Sequence, residues 1–268
     1  MNSLADVRPA TADAPVPFAR SAALYDLLYG DKDYAAEAAY VARHLRAAIP
    51  GARHVLELGS GTGRHGRLLA QQGFMVHGIE RSAEMVAIAR ALESADAGGG
   101  SFTCSEGDLC STAIERTFDA VIALFHVIGY QASNERLLAA FGTAAAHLRT
   151  GGVFLFDIWH GPAVLRIGPS PQQRSAGDAR TAVRRTATPR LDTQAGIVDV
   201  RFRYECEDRA TGAVERFEEL HTMRYLFPTE IDLLARASGL VPFLCEEFLT
   251  GREPSDQTWG VLHGLRKR

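Results

Sequence analysis

The stretch Val55-Leu56-Glu57-Leu58-Gly59-Ser60-Gly61-Thr62-Gly63-Arg64-His65-Gly66 constrains this chain more than any other. It begins as an apolar run that reads as a buried strand. It passes through alternating glycines and then opens an amphipathic helix. Glycine has no Cβ, so the turn can bend tightly and let a ligand lie against bare backbone. The helix aims free backbone N–H groups at that ligand. A nucleotide-like cofactor suits such a turn.

Two cofactors compete for it. Gly61-x-Gly63-x-x-Gly66 has the spacing of a dinucleotide fingerprint, a weak signal alone. Glu57-x-Gly59-x-Gly61-x-Gly63 instead places an acid two residues before the first glycine. A buried carboxylate is costly unless paired, and a pyrophosphate would repel it. A cationic ligand would suit it, and S-adenosylmethionine carries a sulfonium and an ammonium. Glu57 could also serve only to cap loop N–H groups.

With 268 residues, 46% of them hydrophobic, the chain can bury one sizeable core, so one domain with an insertion is expected. A net charge of −3 argues against a nucleic-acid partner. Cys104, Cys110, Cys206 and Cys245 form no Cys-x-x-Cys pair and no zinc spacing, so no metal is expected. Buried thiols in a reducing cytoplasm are the simplest account. No apolar run reaches membrane-spanning length, and no signal peptide pattern opens the chain. Residues 1–19, with Pro9, Pro15 and Pro17, read as a disordered leader.

From Ser21 the pattern is helical to Tyr29, and a second helix runs from an Asp33 cap to about Ile49. Tyr25, Tyr29 and Tyr34 cluster just before the cofactor strand and could form a lid. The second strand ends at Glu80, 21 residues after Gly59. An acid there can accept hydrogen bonds from both ribose hydroxyls. Ser82 would cap the next helix and turn Met85 toward the adenine. Residues 95–100 read as a loop. Asp108, after the third strand, can accept from the adenine amine.

The fourth strand, residues 118–125, is nearly continuous in apolar residues, as a doubly covered parallel strand should be. Ligands bind beyond the carboxyl ends of such strands, which places His126 and Tyr130 at the reacting centre. Ser133 caps a helix, and the fifth strand leads into Trp159 and His160. The period then changes. Runs 181–188, 197–207 and 213–226 alternate like antiparallel strands. Glu218 and His221 have opposite parity there, so one of them faces the pocket. Residues 20–165 and 228–268 thus form one doubly wound α/β sheet, and residues 166–227 a β-rich insertion shaping the acceptor pocket.

Glu57-x-Gly59-x-Gly61-x-Gly63, Glu80-x-Ser82-x-x-Met85, Gly107-Asp108 and Gly151-Gly152 together resemble class I S-adenosylmethionine-dependent methyltransferases. Tyr25-Asp26-x-x-Tyr29, Lys32-Asp33-Tyr34 and Phe125-His126-Val127-Ile128-Gly129-Tyr130 narrow the resemblance. They look like the N-methyltransferases of nucleotide-linked deoxyamino sugars and the glycine/sarcosine group. The resemblance implies a seven-stranded sheet in order 3-2-1-4-5-7-6, with strand seven antiparallel. It implies that Gly59, Gly61 and Gly63 pass beneath the methionine part, Glu80 holds the ribose, and Asp108 with Leu109 flanks the adenine. Ser60, Arg81, Phe125, Tyr25 and Tyr34 complete the expected cofactor set. Tyr25 and Tyr130 would sit near the acceptor. Two departures bear on the acceptor: His126 replaces a small residue, and His160 follows Trp159 where a second aromatic is common.

Methyl transfer is an in-line displacement in which positioning supplies much of the acceleration. An amine acceptor must be neutral at attack, whereas an alcohol needs a general base. Tyr25, His126, Tyr130 and His160 are the catalytic candidates. Tyr29, Tyr130, Trp159, His160, Arg174 and His221 are the acceptor-binding candidates. Arg166, Arg174, Arg180, Arg184, Arg185 and Arg190 suit a phosphorylated acceptor, because guanidinium forks match phosphate oxygens. The expected reaction is N-methylation of an amino group on a nucleotide-linked sugar, by a cytoplasmic monomer or homodimer without membrane or nucleic-acid partners. The alternatives are O-methylation of a hydroxyl or carboxyl with His126 or His160 as base, an NAD-dependent oxidoreductase, and a non-catalytic binding module.

Overall fold

The computed structural model describes Phe18 and residues 20–97 and 99–268. The expected leader therefore lies, Phe18 apart, outside the described residues. The chain opens with α1 (Ala22–Leu28) and α2 (Tyr34–Ala48), the latter capped by the Asp33 carboxylate accepting from the Ala36 amide at 2.8 Å. Then follow β1 (His54–Leu58), α3 (Arg64–Ala70), β2 (Met75–Glu80), α4 (Ala83–Ala91), β3 (Ser94–Ala97), β4 (Gly100–Glu106) and β5 (Phe118–Ala123). A short 3-10 turn (Val127–Tyr130) leads to α5 (Asn134–His147), β6 (Leu148–Trp159) and α6 (Gly161–Ile167). Four strands come next: β7 (Gln172–Gly177), β8 (Thr181–Asp192), β9 (Ile197–Asp208) and β10 (Val214–Arg224). The chain closes with α7 (Pro228–Ala237), β11 (Leu240–Glu247) and β12 (Gly260–Lys267).

Among the described residues the main sheet runs β11-β12-β6-β5-β1-β2-β4-β3. Strands β4, β2, β1, β5 and β6 are parallel, and β12 lies antiparallel to both β6 and β11. Without β3 this is the expected seven-strand order. The addition is β3, which pairs antiparallel with β4 where a loop was expected. Parity splits the core between the two faces. Phe154, Phe156 and Ile158 of β6 pack under α5 and α7, with Phe141 and Leu234. Val153 and Leu155 face α2 and α3, with Leu45 and Leu69.

The second sheet, β10-β9-β8-β7, is formed by residues 172–224, inserted after β6. Its edge strand β7 and the helix α6 before it lie outside the alternating runs that the sequence displays. One face carries Val183, Val198, Val200, Tyr204 and Phe217 inward. The opposite parity carries ion pairs such as Arg184–Glu205 at 2.6 Å and Arg203–Glu218 at 2.7 Å. Glu218 thus faces solvent while His221 is buried, as their parity requires.

This inner face meets α1 and the carboxyl ends of the parallel strands. Glu219 ties the pieces together. Its carboxylate accepts from the amides of Arg20 and Ser21 at 3.0 and 3.1 Å and from the Ser21 hydroxyl at 2.7 Å. It satisfies the open amides where α1 begins, which the Ser21 side chain does not cap. No described helix is long and apolar enough to cross a membrane.

Candidate active site

A cavity of about 260 Å³ opens where the main sheet, α1 and the insertion meet. One end is built by the glycine turn. Gly59 leaves β1 at φ +69°, and its amide donates to Ile79 O at 2.7 Å. A Cβ there would lie 2.5 Å from Val127 Cγ1. Gly61 has φ +55°, and a Cβ on it would meet nothing nearer than Met85 Sδ at 3.9 Å. That open space is a trough of bare backbone.

Glu80 stands beside the trough. Its Oε2 accepts from the Gly61 amide at 2.9 Å and its Oε1 from the Ser82 amide at 2.8 Å. Each oxygen keeps a further lone pair. Ser82 caps α4 by accepting from the Met85 amide at 3.3 Å, which sets Met85 in the cavity wall. Asp108 and Leu109 line the same end, with Arg81. Burial opposes the charge on Asp108, but the Cys110 amide and Arg136 outweigh it and hold the carboxyl below its usual range. Arg136 reaches both Asp108 oxygens at 3.0 Å.

The other end is aromatic. Tyr25, Tyr29, Tyr34, Phe125, Tyr130 and Trp159 all line it, with Phe202 from the insertion and His221 behind. The Tyr25 ring lies 4.9 Å from Tyr29 and 6.5 Å from Phe125. The Lys32 ammonium sits 4.2 Å over the rings of both Tyr34 and Phe125. Burial raises Tyr25 and Tyr130 well above the ordinary phenol range and pushes Tyr34 up to about 12, so all three stay neutral. The buried Tyr34 hydroxyl has no protein partner among the described residues.

His126 enters the wall from the end of β5, and Tyr130 follows on the 3-10 turn. Asp157, buried at the end of β6, stands 2.8 Å from His126 Nδ1. Burial opposes its charge, yet His126 outweighs that and holds the carboxyl below its usual range.

Four expected residues do not line this cavity. Glu57 points beneath α3, and its Oε2 crowds the space a Cβ on Gly66 would take. Burial pushes it up to about 8, and the Gly66 amide faces it. It stands against the Gly66 amide of α3, outside the cavity wall. Gly63 caps α3 at φ +76°, and a Cβ there would meet the Phe102 ring at 2.4 Å. His160 lies one residue beyond Trp159, and the adjacent side chain is carried away from the cavity. Its Nδ1 is buried without a protein partner. Arg174 reaches back from β7 to Leu28 O and Asp31, both at 2.8 Å, and anchors α1.

The other insertion arginines expected at a phosphate are also mostly paired: Arg166 with Asp256 and Arg190 with Asp199. Arg185 differs. It is buried, donates to the Tyr29 hydroxyl at 2.8 Å, and lies 4.6 Å over the Phe202 ring.

The wall also holds residues outside the expected set. Thr62 and Arg64 bind Asp26 of α1 at 2.9 and 3.1 Å, locking that helix over the glycine turn. Gln131 and Arg136 follow the 3-10 turn, and Phe18 packs 4.6 Å from His221. Arg64 and His65 sit inside the glycine motif, where proximity was the available signal. For Phe18, Val200, Phe202 and Met223 only the three-dimensional fold supplies one.

The methyltransferase domain family matches residues 55–152, the segment that builds the cofactor end. The dTDP-3-amino-3,4,6-trideoxy-alpha-D-glucopyranose N,N-dimethyltransferase of Streptomyces venezuelae is 31% identical over 219 residues, covering 81% of this chain and 88% of that protein. The dTDP-3-amino-3,6-dideoxy-alpha-D-glucopyranose N,N-dimethyltransferase of Streptomyces fradiae is 32% identical over 249 residues, 91% of this chain and 90% of that one. The S-adenosylmethionine-bound structure of CalS10, an amino pentose methyltransferase from Micromonospora echinaspora, superposes with a TM-score of 0.71 at 25% identity, over 91% of this chain and 97% of that one. The chain belongs to the class I S-adenosylmethionine-dependent methyltransferases, in the family of these sugar N-methyltransferases. It is an enzyme whose cofactor is S-adenosylmethionine.

The residues present fit that cofactor. The glycine trough is open to a ligand, Glu80 has acceptor capacity to spare, and the orphaned Tyr34 hydroxyl faces the same space.

Proposed function

We propose that this enzyme methylates the amino group of a nucleotide-linked sugar, in the cytoplasm, as a monomer or homodimer acting on a free small molecule. One observation carries the reading. The similarity to the Streptomyces fradiae N,N-dimethyltransferase extends over 91% of the chain, so it includes the insertion that forms the acceptor wall as well as the cofactor half.

Residues 20–165 and 228–268 are the cofactor-binding domain, and residues 166–227 shape the acceptor pocket. Glu80 would hold the ribose hydroxyls, and Met85, Asp108 and Leu109 the adenine. Gly59, Ser60 and Gly61 would lie under the methionine part, with Tyr25 and Tyr34 above it. When bound, the cofactor supplies an electrophilic methyl group on a sulfonium. The chain's work is to place a lone pair in line with that methyl and keep water away. Tyr25, Tyr29 and Phe125 close the space from one side, and Phe202 and Met223 close it from the insertion. Neutral phenols at Tyr25 and Tyr130 can accept from an amine without trapping it as an ion pair. Arg185, behind Tyr29, is the insertion arginine best placed to favour an anionic acceptor.

The test is direct. The purified enzyme is incubated with S-adenosylmethionine and a panel of dTDP-linked amino sugars, and products are read by mass spectrometry. Gain of one or two methyl groups on nitrogen is expected. Turnover of the matching hydroxy sugars, with none of the amino sugars, would overturn the reading.

A further inference from the structure

We infer that Asp157 and His126 form a proton-accepting pair for the acceptor, in which Asp157 positions the imidazole so that Nε2 takes a proton from the incoming ammonium. The inference rests on the N-methyltransferase reading above. Phe125 and His126 are consecutive and neither is glycine, yet both lie in the left-handed region, at φ +63° and +61°. L side chains rarely adopt this conformation, and runs of it persist only where the surroundings impose it.

Asp157 is what imposes it. The carboxylate is 1% exposed. Its Oδ1 and Oδ2 accept from the His126 backbone N–H at 3.1 and 3.2 Å. Oδ2 also stands 2.8 Å from ring Nδ1, as a close ion-pair contact off the axis of a linear hydrogen bond. One buried anion thus holds both the main chain and the ring of the same residue. A charge so deep is costly unless compensated, and the strained backbone is what brings compensation to it.

The ring then occupies the cavity wall. It lies 5.9 Å from the Trp159 ring and 6.0 Å from Phe125. Gly260 of β12 flanks it, at a position where a Cβ would lie in ordinary contact with His126 Cε1, at 3.6 Å. With Nδ1 turned to Asp157, Nε2 is the ring nitrogen left free. Other titratable groups surround the site. Lys32 lies over Phe125, and His65 of α3 pairs with Glu37 of α2 at 2.7 Å. Tyr25 and Tyr29 of α1 share the cavity.

An amino sugar arrives near neutral pH as an ammonium, with no lone pair to offer. Nε2 takes one N–H proton, and the electrons of that bond become the attacking lone pair. The imidazolium faces the Asp157 anion and passes its proton to solvent before the next turnover. A monomethylated product is again an ammonium, so the same transfer prepares a second methylation.

The experiment compares wild type, His126→Ala and Asp157→Asn as full chains, with the amino sugar that wild type methylates. Near pH 7, His126→Ala should lose about hundredfold or more in kcat/KM. The deficit should close as pH rises past the amine's own pKa, where the acceptor arrives neutral. Asp157→Asn should give a smaller deficit of the same shape, and calorimetric affinity for S-adenosylmethionine should be unchanged in both. A deficit equal at all pH values, or none, overturns the inference. Because Asp157→Asn also removes a buried charge, the ring is read separately by histidine NMR in the acceptor-free protein. The His126 ring nitrogen-15 shifts should change in Asp157→Asn, and unchanged shifts overturn the pairing. A wild type that methylates no amine, with the ring shifts changing as expected, sinks the functional reading while the pairing stands.

Discussion

The Tyr130 hydroxyl stands 3.0 Å from Nδ1 of His221. The contact crosses the seam between the 3-10 turn of the main domain and strand β10 of the insertion. On the far side of the ring, Nε2 stands 3.3 Å from Glu219, whose carboxyl is opposed by burial but held down at about 2 by His221 and Ser21. Tyr130→Phe leaves a buried imidazole nitrogen unsatisfied, which costs about 1–3 kcal/mol. A lower Tm and an acceptor kcat/KM reduced about tenfold are expected, with cofactor affinity unchanged. A parallel loss of cofactor affinity would place Tyr130 at the other end of the cavity.

Glu80 offers its remaining lone pairs where the ribose would lie. Glu80→Ala removes charge-assisted hydrogen bonds, each worth about 1.5–3 kcal/mol, so cofactor affinity should weaken by roughly 10- to 100-fold. Isothermal calorimetry measures it. NADH should not bind to either form, and fluorescence enhancement on NADH addition would contradict the cofactor assignment.

Two glycines of the same turn should fail differently. Gly59→Ala puts a Cβ 2.5 Å from Val127 at φ +69°, so it should destabilise the fold by about 1–3 kcal/mol. Gly61→Ala meets no such obstacle at φ +55°, and its Cβ enters the ligand trough. Its Tm should fall less, while its affinity for S-adenosylmethionine should be largely lost. Thermal melts and calorimetry on both variants separate the two effects.

Glu57 gives a pH signature. Burial raises its carboxyl from 4.5 to about 8. In the unfolded chain it ionises near 4.5, whereas in the native protein it keeps its proton up to about 8. Its contribution to stability is therefore complete below about pH 4.5 and is lost as pH rises through 8. Glu57→Gln should flatten this dependence, so that the variant gains Tm relative to wild type between pH 5 and 8. A constant Tm difference across that range would refute it.

The sheet order was legible because a buried parallel sheet writes itself in long apolar strands, glycine breaks and capped helices. Strand β3 was not, since a four-residue run of Ser-Ala-Asp-Ala is too short to carry a strand signal, and β7 is likewise a polar edge strand. The placement of Glu80, Asp108 and Met85 in the cavity wall was legible because each stands at a strand's carboxyl end or a few residues beyond it. His160 was expected at the wall through its neighbour Trp159, but adjacent side chains at a strand end point apart. The same parity that separates Glu218 from His221 separates these two. Glu57 and Gly63 belong to the motif by spacing, and the fold sets them under α3, outside the cavity wall. Whether an arginine faces a ligand or a carboxylate depends on strand register, and register is what placed Arg184 outward and Arg185 inward.

The Glu219 clasp on Ser21 joins positions 198 residues apart. As the chain leaves the ribosome, the parallel strands and their glycine turn are complete long before β10 exists. The acceptor wall cannot be finished until Glu219 has emerged and drawn the first helix against the insertion. Such distant closure is entropically slow compared with the local pairing of strands. Synthesis therefore completes the parallel strands and their glycine turn first, and the wall that Glu219 closes waits for β10, with α7, β11 and β12 still to follow and finish the main sheet.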